Sequence, residues 1–108
     1  MTRATFAAGA LLLAMVRAPA SAVAEEQFAP EQIKRGASIF SQNCAPCHGP
    51  HMADPQGAFD LRTFPPEQKS RFLNSVTRGK NQMPPWGDLF QADEIEALWS
   101  YVMAGEKK

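Results

Sequence analysis

Cys44-Ala45-Pro46-Cys47-His48 is the stretch on which the reading of this chain turns. Two thiols three residues apart can add to the two vinyl groups of one haem, and a histidine directly after the second then lies beneath the iron. Two competing chemistries would leave marks that are missing. A disulfide of the thioredoxin kind expects a strand before the motif and a βαβ pattern around it. A zinc site needs two further ligands, whereas the chain has no third cysteine and only one other histidine, His51. The motif therefore implies one covalent haem c, attached through Cys44 and Cys47, with iron bound by neutral Nε2 of His48 while its Nδ1–H is held by a backbone carbonyl.

A sixth iron ligand has to come from elsewhere in the chain. Outside the N-terminal segment the sulfur candidates are Met52, Met83 and Met103. Met52 lies four residues beyond His48, too close to cross to the other haem face, and Met103 sits on or beside the last helix. Met83 precedes Pro84-Pro85 and so projects from a stiff loop 35 residues after His48, enough chain to wrap round a haem edge. The alternative for Met83 is a loop methionine filling a core gap. His51 fails as a second histidine ligand on the same ground of proximity and reads as a solvated loop residue.

Outward from the motif, residues 1–24 read as a cleaved secretory signal: the basic start Met1-Thr2-Arg3, the apolar run Phe6 to Val16, and the small-residue pattern Ala22-Val23-Ala24. The apolar run is short of the roughly 20 residues that span a bilayer, and Arg17 interrupts it, which argues against a membrane anchor. Ala18-Pro19-Ala20 and Ala20-Ser21-Ala22 are rival cleavage sites. Residues 25–108 then form one small domain with 9 Lys and Arg against 11 Asp and Glu, a formal charge of −2. Neither the charge nor the composition indicates a nucleic-acid partner or a disordered chain. So small a core gains much from a large buried group.

The hydrophobic pattern is helical throughout. Pro30 suits a first helical turn, and Ile33, Gly36, Ala37 and Phe40 share one face. Residues 43–64, with Pro46, Pro50, Pro55, Gly49 and Gly57, hold no period and read as loop. A second helix is expected from about Pro65-Pro66-Glu67, turning Phe72, Leu73 and Val76 inward and stopping at Gly79. Pro84-Pro85 forbid helix over 81–87. A last helix runs from about Ala92 to Ala104 with Ile95, Leu98, Trp99 and Val102 inward, and Gln91 is a poor enough cap that its first turn is expected to fray. No sheet is indicated, so the fold class is all-α, three to four helices with long loops wrapped around the haem.

These residues resemble the class I cytochrome c family over residues 30–104. Gly36-x-x-x-Phe40-x-x-x-Cys44 is similar to the family's first-helix pattern, in which the glycine permits close helix approach and the aromatic packs on the last helix. Leu98-x-x-Tyr101 resembles the partner of Gly36 and Phe40, and the attachment motif and Met83-Pro84 match in turn. There is one departure. Members often carry Gly-Pro-x-Leu after the attachment site, the proline carbonyl accepting the histidine Nδ1–H, whereas this chain has Gly57-Ala58-Phe59-Asp60-Leu61. The carbonyls of Pro50 and Pro55 are then the candidates. The stretch from Met83 through Trp86-Gly87-Asp88 to Trp99 is similar to that of small bacterial cytochromes accompanying periplasmic dehydrogenases, quinoprotein alcohol dehydrogenases among them.

The resemblance implies a periplasmic, monomeric single-electron carrier, not an enzyme, taking electrons from a dehydrogenase and passing them to an oxidase or another cytochrome. No stable membrane anchor is expected once the signal is cleaved. The alternatives are a fixed electron-transfer subunit of one complex, or a haem enzyme or gas sensor with a labile sixth ligand. Trp86 is placed either at the haem edge, with its indole N–H on a propionate, or in plain packing. Arg78 and Lys80 either neutralise a propionate, meet an acidic partner, or stand as the solvated end of a helix.

Overall fold

The computed structural model describes residues 28–106; the signal reading of residues 1–24 lies outside them. Four helices follow in order: α1 (Pro30–Asn43), α2 (Ala45–His48), α3 (Lys69–Arg78) and α4 (Ala92–Ala104), with 3₁₀ turns at Pro50–Met52 and Leu61–Thr63. Among the described residues the one extended pairing is an isolated antiparallel bridge between Lys80 and Met83. No described helix is long and apolar enough to cross a membrane. The all-α expectation holds.

The main packing is that of α1 on α4. Pro30 opens α1, with Glu31 in its first turn, where a carboxylate complements the positive end of the helix. One turn apart on the inner face, Gly36 and Phe40 are buried. The two helices cross at Gly36 so closely that a Cβ there would run into the Ala97 carbonyl oxygen and stand 2.9 Å from Tyr101 Cβ. The Phe40 ring meets Tyr101 at 5.2 Å between centroids. Beyond the crossing, Phe64, Phe72 and Trp99 form a mutually tilted cluster with centroids 5.1–5.9 Å apart, the offset geometry that aromatic quadrupoles favour. Leu98 and Val102 complete the inner face of α4. Arg35 reaches Asp93 at 3.2 Å and Lys69 reaches Glu96 at 2.9 Å, exposed pairs that add little.

Three local expectations need correction. α3 begins at Lys69 rather than near Pro65, because each of two successive prolines disfavours helical backbone in the residue before it; the chain makes a turn instead, closed by Gln68 N–H donating to the Pro65 carbonyl at 3.1 Å. The first turn of α4 is tied down rather than left to fray, since the Glu94 carboxylate accepts the Gln91 backbone N–H at 2.8 Å, the reciprocal half of a capping box. Residues 43–64 contain α2 and two 3₁₀ turns within the expected loop. Gly79 ends α3 with φ +82°, as its position implied.

Gly36→Ala should lower the thermal unfolding midpoint sharply, at a cost of about 1–3 kcal/mol or more for an overpacked contact, because the atom it meets is backbone rather than a side chain that can swing away.

Candidate haem-binding site

α2 is a single turn that presents Cys44, Cys47 and His48 together. It continues directly from α1, with Cys44 N–H donating to the Phe40 carbonyl at 2.8 Å and His48 N–H to the Cys44 carbonyl at 2.9 Å, so the crossing that seats Phe40 also places the attachment residues. The turn ends at Gly49, φ +86°, where a Cβ would strike the Ala53 carbonyl. Beyond it His51, Met52 and Asp54 all have φ between 54° and 64°, left-handed backbone that costs non-glycine residues on the order of 1–3 kcal/mol each. Complete burial of the Met52 side chain offsets part of that cost.

Cys44, Cys47, His48 and Met83 all line one cavity of about 750 Å³, within the roughly 300–1,000 Å³ usual for cofactor and ligand pockets. Its inner wall is apolar, with Phe40, Phe72, Leu98 and Val102 among the lining side chains. Met52 and Met103 are outside that lining; Met52 is fully buried in the core cluster and Met103 packs half-buried against it. Of the three sulfur candidates only Met83 therefore reaches the cavity. The Met83 loop is stiffened by reciprocal backbone bonds with Lys80, 3.0 and 2.9 Å, and by Trp86 N–H donating to the Val76 carbonyl at 2.8 Å. Trp86 is a wall residue of the cavity, its ring stacked on Phe90 at 5.3 Å. Lys80 lines the cavity and Arg78 does not.

His48 Nδ1 lies 3.2 Å from the Phe59 carbonyl oxygen. A carbonyl only accepts, so the proton sits on Nδ1 and the Nε2 lone pair is left for a metal. Burial also holds the ring toward its neutral form, the Phe59 bond acting the other way. The acceptor is thus Phe59 and neither Pro50 nor Pro55: the position is fixed by the turn that follows, and any residue supplies a carbonyl. In that turn the Asp60 carboxylate accepts from Arg62 N–H at 3.1 Å and from the Arg62 guanidinium at 3.0 and 3.1 Å, and Thr63 Oγ1 donates to the Asp60 carbonyl at 2.9 Å. Phe59-Asp60-Leu61 occupies the place of the Pro-x-Leu element, and that spacing was the signal that could have named it.

Burial, with Cys47 beside it, pushes the Cys44 thiol up to about 11. A thiol so reluctant to ionise is the opposite of the activated cysteine of a dithiol redox site. An apolar cavity of this size with a C-x-x-C-H turn and a thioether on its lining fits a haem, with Cys44 and Cys47 able to hold its vinyl carbons and His48 and Met83 able to ligate its iron. Among the residues lining the cavity to which the sequence reading gave no role are Phe59, Phe64 and Arg71.

His51 is exposed, as expected, yet not free: its Nδ1 is 3.0 Å from Glu106 Oε2, the same oxygen that accepts the Tyr101 hydroxyl at 2.6 Å. The loop after the attachment turn is thereby tied to the end of α4.

An all-α chain that folds a C-x-x-C-H turn and a methionine loop onto one apolar cavity is, by fold and site, a c-type haem protein. Residues 31–102 match the family described as cytochrome c oxidase, cbb3-type, subunit III. The chain is 36% identical over 78 residues to cytochrome c6 of Microcystis aeruginosa, covering 68% of this chain and 96% of that one. It is 31% identical over 96 residues to the cbb3-type cytochrome c oxidase subunit FixP of Sinorhizobium medicae, 76% of this chain and 33% of FixP. It is also 29% identical over 73 residues to the quinohemoprotein alcohol dehydrogenase ADH-IIG of Pseudomonas putida, 66% of this chain and 10% of that enzyme. The chain belongs to this family of small class I c-type cytochromes. It is a haem c protein of electron transfer, and Cys44 and Cys47 fit the covalent attachment pattern.

Hydrogen bonds from Tyr101 and His51 hold the Glu106 carboxyl below its usual range. A depressed carboxyl stabilises the fold above its ordinary value and loses that contribution as pH falls through its folded value. Between pH 5 and acid, the unfolding midpoint of the wild type should therefore drop more steeply than that of Glu106→Gln; parallel curves would show that the tie contributes nothing.

Proposed function

We propose that the protein is a periplasmic single-electron carrier in which haem c is attached through Cys44 and Cys47 and its iron is ligated by His48 and Met83. The observation that carries this reading is the convergence of that turn and that methionine, and no other described methionine, on one cavity. Bound there, the haem would supply one-electron Fe(III)/Fe(II) chemistry. The chain's own residues do the rest. His48 is oriented by the Phe59 carbonyl, Met83 offers a soft thioether that favours the reduced metal and a raised potential, and the apolar wall keeps water from the ring. If His48 and Met83 both ligated the iron, no site would be left on it for oxygen or peroxide, which favours electron transfer over catalysis. The backbone bonds between Lys80 and Met83 and from Trp86 to Val76 would limit rearrangement as the iron changed oxidation state.

The reading of residues 1–24 as a signal supports an exported protein starting near Glu25. The donor is then a dehydrogenase and the acceptor an oxidase or another cytochrome. Two of the relatives are an oxidase subunit and a quinohemoprotein dehydrogenase, in which the matching segment is a third and a tenth of the whole. The match over nearly all of a cytochrome c6 favours a free carrier over a fixed subunit.

Met83→Ala should retain covalent haem after denaturation. It should lose the weak near-infrared sulfur-to-iron band, lower the reduction potential, and let the reduced iron bind carbon monoxide. Met52→Ala, by contrast, should cost about 2–5 kcal/mol of stability and leave the band in place. Survival of the band in Met83→Ala would overturn the ligand assignment.

A further inference from the structure

Two basic side chains line the cavity, Arg71 and Lys80, and no carboxylate does. Asp60, next in sequence to Phe59, is gripped by Arg62. A haem held by its vinyl carbons at Cys44 and Cys47 still carries two propionate carboxylates that need partners.

Arg71 is prepared for such a partner in a way that Lys80 is not. Its guanidinium lies 4.8 Å from the centroid of the Phe64 ring and 5.5 Å from that of Phe59. Phe59 and Phe64 in turn meet edge to face at 5.7 Å, so the cation rests on a platform of two rings, one of them part of the buried core. One N–H is spent on Gln68 Oε1, at 2.6 Å; the guanidinium has five. A planar fork with its orientation already set loses little freedom on taking a carboxylate in two parallel hydrogen bonds. Lys80 is a point charge on a flexible stem.

We propose that Arg71, seated on Phe59 and Phe64, is the residue that binds a haem propionate. The assignment rests on the haem reading above and deepens it. The same platform carries the carbonyl that orients His48, so one aromatic residue, Phe59, joins the carboxylate end of the cofactor site to its iron end. A cation held there favours the reduced haem and keeps the propionate ionised.

The test uses the purified holoprotein in four forms, wild type, Arg71→Gln, Arg71→Lys and Lys80→Gln, with the reduction potential measured from pH 4 to pH 9. Loss of the cation in Arg71→Gln should lower the potential at neutral pH and move its pH-dependent step upward by about one unit. Arg71→Lys keeps the charge without the fork and should move the step part of the way, and it serves alone if the glutamine variant does not accumulate. Lys80→Gln should leave the step where the wild type has it. A step unmoved in either Arg71 variant, or reproduced by Lys80→Gln, overturns the proposal. A chain that releases its haem on denaturation would instead overturn the covalent haem reading, an outcome visible in the wild type before any variant is compared.

Discussion

The contact of Gly36 with the Ala97 carbonyl is the constraint on which the rest of the molecule depends. Two helices approach until backbone meets backbone, and everything one turn at a time along α1 is positioned by that approach. Phe40 is driven against Tyr101, and Cys44 is carried to the rim of the cavity that α4 lines with Leu98 and Val102. Any side chain at 36 would run into the Ala97 backbone and force the two helices apart. Because a helix repeats every 3.6 residues, the spacing 36, 40, 44 converts one close contact into three aligned functions: approach, packing and attachment.

A second dependence runs through Phe59. Its carbonyl sets the tautomer of His48, its ring supports Arg71, and its place in the chain is held by the Asp60–Arg62 turn. The loop that carries it has almost no hydrophobic period and would have little reason to order itself alone. Its order comes from caps, short turns and the edge-to-face contact with Phe64, which ties it to the aromatic cluster beneath. The tie from His51 to Glu106 does the same for the strained turn just after the attachment site.

Most of the helical frame was legible because periodicity survives in a single sequence. α1 and α4 lie within the bounds that Pro30, the Phe40 face and the Ile95–Val102 stripe imply. The start of α3 was misplaced because two prolines can open a helix or hold it off, and only the turn closed by Gln68 decides between these. Gln91 looked like a weak cap because its own side chain was weighed, whereas the bond that secures the turn comes from Glu94 three residues later. Phe59 was passed over as the His48 acceptor for a related reason: a proline was sought where only a carbonyl was required.

What the sequence determined by itself is the covalent chemistry, since Cys44, Cys47 and His48 are adjacent and one helical turn suffices to present them together. It also determined the short list of sulfur candidates, and with it the stiffness of the loop around Met83. Only the tertiary structure decided that Met83 reaches the cavity while Met52 is consumed by the core, that Phe59 orients His48, and that Arg71 stands over two aromatic rings at the cavity wall. Those relations join segments separated by aperiodic loops, and they turn on backbone carbonyls and through-space distances. A residue's identity encodes neither.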